Sequence, residues 1–301
     1  MLGLVAVSAL AALVISCGER PGVEPTVDSG VGPAADSAGA AEDQAAGELD
    51  AALAAWERFP AQRRPRPIVL RDSLPQVAGF TTDEAKIAAL AGDLELTGPL
   101  PPTPATVTVR LPDGEVTLPA LPVEEALEGI RDSGDGSQNP AGPLRITSVE
   151  LGSARFRTDR GPLTLPAWLF HPVDGLGPLA WPALAADSFW PGPRQSAPGL
   201  TIAPEATIAP DGRTITVSLP APPYPCPGAA VIRHEPVVAE SATAVAVGFR
   251  RIEESPATDP SAVCAEPAML RFEPHEVQLA QPLGDRVLIG RDAQAVIVLG
   301  G

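Results

Sequence analysis

Apolar positions at Leu49, Leu53 and Trp56 recur at i, i+4 and i+7, the spacing of one face of a short helix, and Pro60 ends it. A second helix is predicted after Thr81-Thr82-Asp83-Glu84. There Thr81 and Glu84 have capping-box spacing, Ile87 and Leu90 supply an apolar face, and Gly92 a stop. Between the two, Ile68-Val69-Leu70 reads as a strand whose approach, Arg63-Arg64-Pro65-Arg66-Pro67, is basic and solvated. Thr106 to Leu111 alternates strictly, Pro112-Asp113-Gly114 turns it, and Glu115 to Leu118 returns, which is a hairpin. Pro122 to Ile130 reads as one more short helix with Pro in its first turn.

Beyond this the pattern is mostly β. Strands are predicted at Leu144 to Leu151, Ala154 to Thr158 and Leu163 to Phe170. A Pro-rich stretch over 172–210 carries few strand signals. Further strands are predicted at Arg213 to Leu219, Ala229 to Ala239, Ala242 to Ile252, Met269 to Phe272, Glu276 to Ala280, Arg286 to Ile289 and Ala295 to Leu299. The polar loop 131–143 offers a boundary. The expected fold is α+β and mostly β, with antiparallel, sandwich-like sheets and a few short helices. It divides into an N-terminal α+β domain over 51–135 and a β-rich C-terminal domain over 144–301. No period of 20–50 residues recurs, which leaves solenoids and propellers unsupported.

Residues 1–16, MLGLVAVSALAALVIS, are uncharged and apolar apart from two Ser, short of the roughly 20 residues a spanning helix needs and suited to a secretory signal. Val14-Ile15-Ser16-Cys17 resembles the lipobox of bacterial lipoproteins. That resemblance implies cleavage before Cys17, acylation of its thiol and attachment to the extracytoplasmic face of the cell membrane. The alternative is an ordinary secretory signal, or a buried helix with an incidental Cys. Residues 18–50 carry eight acids against the single base Arg20, and few large apolar side chains. Such a segment buries too little to offset its ordering entropy. Residues 17–50 therefore read as the lipidated Cys followed by a disordered acidic tether, with an r.m.s. span of roughly 30 Å.

Composition narrows the function classes. A net charge of −16 and 4% aromatic residues disfavour nucleic acid, since phosphate would be repelled and stacking platforms are scarce. Lys86 is the single Lys among 21 basic residues, a skew that reads as a GC-rich genome rather than as function. In an exported chain, Cys226 and Cys264 read as one disulfide, worth on the order of 4 kcal/mol by loop entropy; two buried free thiols are the alternative. His171, His234 and His275 lie far apart in sequence. His234-Glu235 and His275-Glu276 fail as zincin motifs because Val238 and Leu279 hold the second His position. An EF-hand starting at Asp132 would need Glu where Pro143 stands, so the loop from Asp132 to Asn139 reads as a surface turn. No nucleophile elbow, phosphate-cradling loop or dinucleotide loop is present in the sequence, and no catalytic residue, metal ligand or cofactor is assigned.

Several segments resemble a secreted lipoprotein family of high-GC Gram-positive bacteria to which no activity is assigned. They are Trp56-Glu57-Arg58-Phe59-Pro60 with Pro65-Arg66-Pro67-Ile68-Val69-Leu70, and Gly79-Phe80-Thr81-Thr82 with Lys86. Thr158-Asp159-Arg160-Gly161 through Pro166-Ala167-Trp168-Leu169-Phe170 adds to these, as do Glu240-Ser241 and Pro282-Leu283-Gly284-Asp285-Arg286-Val287. The resemblance implies the extracytoplasmic address and the Cys226/Cys264 pair, and no activity. Trp168 and Phe170 read as core residues of a strand. The functional expectation is a membrane-anchored, non-enzymatic binding or envelope module, held to the membrane through lipid on Cys17 and facing a cell-wall or envelope protein partner. The alternative is an extracytoplasmic hydrolase whose site assembles dispersed carboxylates with His234 or His171.

Overall fold

The computed structural model describes residues 35–137, 139, 142–193, 205–224, 226–259 and 271–300, with side chains from residue 44 onward. Helix α1 (Ala35–Ala55) opens the described chain. The tether expected over 17–50 is therefore corrected to helix from Ala35. Ala fills ten of the 21 positions of α1, and it is the residue that loses least on entering a helix. Leu49 and Ala52 are buried along it, and Trp56 just beyond is sealed as well, its indole N–H donating to the Ala293 carbonyl at 2.8 Å.

The chain then builds β1 (Gln76–Val77), α2 (Asp83–Ala91), β2 (Leu94–Leu96), β3 (Thr106–Leu111), β4 (Gly114–Pro119), α3 (Val123–Asp132), β5 (Leu144–Thr158), β6 (Gly161–Pro172) and β7 (Leu179–Pro182). One five-stranded sheet runs β1-β7-β6-β5-β2, antiparallel except for β2 against β5. The β3–β4 hairpin forms as expected, with Gly114 paired to Leu111 in the strand rather than in the turn. Both faces of the sheet are covered. From β6, Leu165 and Ala167 point to the hairpin, while Trp168 and Phe170 point to α2 and α3. On β5 a bulge between Ile146 and Ser148 shifts the register, so Ile146 and Val149 share the helix face while Ala154 and Phe156 face the hairpin. The strands expected at 144–151 and 154–158 are one. The strand expected at 68–70 is reduced to isolated bridges, Ile68 with Phe189 and Leu70 with Thr158.

The second body comprises β8 (Glu205–Ile208), β9 (Thr214–Pro220), β10 (Val231–Glu240), β11 (Ala244–Ser255), β12 (Phe272–Gln278), β13 (Val287–Gly290) and β14 (Ile297–Gly300). Sheets β10-β11-β13 and β12-β9-β8-β14 pack face to face. Val245, Val247 and Leu288 enter this sandwich, and their neighbours Ala244, Ala246, Val287 and Ile289 pack under α1. The fold is α+β and mostly β, with parallel pairs β11–β13 and β8–β14 among the antiparallel ones. Strand β2, before the loop at 131–143, pairs with β5 after it. Two apolar clusters gather around the five-stranded sheet and two around the sandwich and α1, the latter drawing in Val69 and Trp190.

The two bodies meet at the β5–β6 turn. Asp159 there donates its N–H to Val69 at 3.0 Å, accepts from the Val298 N–H at 2.9 Å, and pairs its carboxylate with Arg66 at 2.5 Å. The expectation of a solvated basic approach is corrected: Arg66 is 1% exposed. Its amide donates to Asp113 in the β3–β4 turn at 2.9 Å, its Nε donates to the Asp285 carbonyl at 2.7 Å, and its guanidinium lies 4.7 Å from the Phe59 ring centroid. Arg160 reaches Asp113 at 3.0 Å. Partial burial pushes the Asp113 carboxyl up, but the Arg66 amide and the Arg160 and Arg64 charges outweigh it and hold the group below its ordinary value.

Asp159→Ala leaves Arg66 buried without its counter-charge and should cost about 3–5 kcal/mol in urea unfolding. Removing the exposed Arg64–Asp285 pair with Arg64→Ala should cost about 1 kcal/mol or less. Because the folded pKa of Asp113 is depressed, its contribution is present above the ordinary carboxylate value and is lost as pH falls through the folded one. Asp113→Asn should therefore flatten the fall of unfolding free energy below the ordinary Asp range, read from denaturation at stepped acid pH.

Candidate functional site

Helix α2 forms one wall of a groove of about 750 Å³, within the range of roughly 300–1,000 Å³ usual for ligand sites. Thr82 rather than Thr81 is its N-cap, accepting from the Ala85 N–H at 3.2 Å. Gly92 closes the helix in the left-handed region at φ 71°. A Cβ on Gly92 would stand 2.2 Å from the Arg131 carbonyl oxygen, so only Gly lets the end of α2 seat against the end of α3. The helix lies on small residues. Ala85 and Ala88 are buried, and the expected apolar face is corrected: Ile87 and Leu90 are 43% and 55% exposed. Close seating of α2 on the α3 core selects the side chains with least volume for that contact, and Leu90 turns into the groove.

The opposite wall is the loop between β6 and β7. Thr81 donates through its N–H and its hydroxyl to the Asp174 carbonyl at 2.8 and 3.1 Å, and the Leu176 N–H donates to Gly79 at 2.9 Å. These bonds hold Leu176, 67% exposed, over the opening. Gly79 sits at φ 124°, and a Cβ there would lie 3.1 Å from a Leu176 methyl. Phe80, Ala89, Ile130 and Leu179 complete the apolar lining, and Val77 of the sheet edge stands 43% exposed beside them. Along α2 the groove passes from Asp83 and Lys86 to Ala89 and Leu90, a change from charge to hydrocarbon over about 10 Å of helix. The far side of Ser73–Ala78 is also hollowed, by a depression of about 670 Å³, but its principal charges, Asp72 and Arg157, already pair at 2.7 Å.

The residues singled out from sequence lie elsewhere. Cys17 and Cys264 fall outside the described residues. Cys226 precedes β10 and is not a free thiol. His171 on β6 faces Glu150 of β5 at 3.2 Å, half-exposed. The Nδ1 of His234 on β10 lies 2.7 Å from the Pro220 carbonyl, so Nδ1 carries the proton, and its ring stacks at 4.3 Å on Phe249. Among the described residues no three His, Cys, Asp or Glu side chains are grouped as metal ligands. Asp135 accepts from the Ser137 N–H within the 132–139 loop, and Asn139 donates across to Asp93 at 3.0 Å. Trp168 and Phe170 are core, and the Trp168 indole N–H donates to the Leu121 carbonyl at 2.8 Å.

The groove escaped the sequence reading because Leu90 fits a helical apolar stripe, and Lys86 reads as compositional bias when its surroundings are unknown. The signal available was the pair Asp83 and Lys86, opposite charges placed one turn before that stripe. No family model, curated protein or solved structure matches the chain.

Thr82→Ala removes the cap that starts this wall. It should lower the unfolding free energy by about 1 kcal/mol in urea titration and speed amide exchange over 83–86 before that of the sheet.

Proposed function

We propose that this chain is a lipid-anchored extracytoplasmic module that binds an apolar ligand in the groove between α2 and the β6–β7 loop, without chemical turnover. The observation that carries the reading is the exposure of Leu90, Leu176 and Val77 around one concavity, on a protein whose other large apolar side chains are mostly buried. Exposed apolar side chains gathered at one concavity mark a binding surface more than scattered ones do. Among the described residues that line the groove no His occurs and Asp83 is the one carboxylate, which supports binding over hydrolysis by paired carboxylates. The anchor rests on Val14-Ile15-Ser16-Cys17 and the apolar run before it. A disulfide between Cys226 and Cys264 belongs to the same extracytoplasmic reading, and Cys226 not being a free thiol is consistent with it.

Two measurements check this. Mature protein should begin at Cys17 with an acyl mass increment and sediment with membranes, and Cys17→Ala should lose both; an unacylated N-terminus at another position overturns the anchor. The Cys17→Ala protein should bind an environment-sensitive apolar dye saturably. Leu176→Asp should weaken that binding several-fold with an unchanged circular dichroism spectrum. Equal binding by the variant overturns the groove as the site.

A further inference from the structure

We infer that the groove takes a zwitterionic single-chain amphiphile, with a monoacyl glycerophosphoethanolamine as the representative chemistry. This rests on the binding reading above and adds the identity of the head group. Asp83 and Lys86 both line the groove, three residues apart on one face of α2, and neither side chain has an ion pair or hydrogen bond among the described residues. On α3 the same order and spacing, Glu128 before Arg131, closes into an ion pair at 2.7 Å. The two charges on α2 therefore stand open toward the groove where α3 joins its own.

A head group of one sign would satisfy one of these side chains and face a like charge at the other. A phosphate and an ammonium joined by a short linker meet both, with a separation comparable to that of neighbouring side chains one helical turn apart. Lys86 offers phosphate a compact, rotatable ammonium, and Asp83 accepts from the ligand's own ammonium. Past this charged end the lining is hydrocarbon: Ala89 and Leu90 continue the same helix face, Ile130 lies beyond, and Leu176 closes from the opposite wall. The groove volume, about 750 Å³, is that of a drug-sized ligand and accommodates one chain. In a protein held at a membrane by its own acyl group, such amphiphiles are present at high local concentration.

The test uses the full chain and a monoacyl glycerophosphoethanolamine carrying a diazirine in its acyl chain, applied below its micelle-forming concentration. Competitors are the unlabelled zwitterion, a monoacylglycerol phosphate, a long-chain alkylamine and an uncharged monoacylglycerol. Crosslinks should map to 73–90 and 173–179, and the zwitterion should compete about fivefold better than either singly charged competitor. Lys86→Gln should remove its advantage over the alkylamine, and Asp83→Asn its advantage over the phosphate. Both positions are exposed, so neither variant threatens the fold. Crosslinks that stay in the groove while all four competitors act equally overturn the head-group assignment and leave apolar binding standing. Crosslinks that map elsewhere, or that persist at full yield in Leu176→Asp, overturn both.

Discussion

Arg66 and Asp159 form a buried ion pair at the one place where the three-layered first body, the β-sandwich and the exit of α1 converge. Burying two charges carries a desolvation cost of several kcal/mol per ion, and the surroundings offset it in part. The Asp285 carbonyl accepts from Nε, the Phe59 ring lies beneath, and backbone bonds with Val69 and Val298 hold the turn that presents Asp159, while Arg66 Nη1 and Asp159 Oδ1 are buried without a partner among the described residues. Each of these partners comes from a different segment of the chain. The pair therefore acts as a registration point: the β5–β6 hairpin, the Arg66 segment and the β12–β13 connection must be in their final positions before its charges are matched.

The consequences reach the groove through the sheet. Strands β5 and β6 run from the junction at Asp159 to the far end, where Pro172 leads into the loop that carries Leu176. With the hairpin sealed on one face of this sheet and α2 and α3 on the other, the helix layer has little freedom to slide. Close backbone approach at Gly92 and Gly134 locks α2 further. A rigid sheet, a helix seated on alanines and a loop tied by three hydrogen bonds to Gly79 and Thr81 thus hold an opening between them. That rigidity suits binding, since a preformed apolar site loses little to ordering when it is filled.

The proposed placement at a membrane and the character of the groove support one another. An apolar groove with unpaired charges at one end is a liability on a freely diffusing protein, where it invites association. Beside a bilayer the same surface has amphiphiles within reach. The acidic body is repelled by anionic headgroups, so a preference for a head group carrying both signs agrees with the electrostatics of the whole chain.

Much of the secondary structure was legible in the sequence because its determinants are local. The alternation from Thr106 to Leu111, the turn at Pro112-Asp113, the helix at Val123–Asp132 and most of the later strands depend on side-chain period and turn residues within a few positions. The errors, the start of α1 apart, have a common origin in packing. Helix α1 extends back to Ala35 by Ala propensity where an acidic, residue-poor core signal argued for disorder. Strand β5 runs on through a gap in its apolar pattern because a bulge changes which face its residues meet. Arg66, read from its neighbours as solvated, is buried because Asp159, ninety-three residues away, meets it. Ile87 and Leu90 satisfy the helical period as well as Ala85 and Ala88 do. The choice between the two faces was made by how closely α3 lets α2 approach. By itself the sequence determined the β-rich class and most of the locally patterned elements. Tertiary structure alone decided which face of α2 is hidden, and with it the groove, since volume competition between distant residues leaves no period in a sequence.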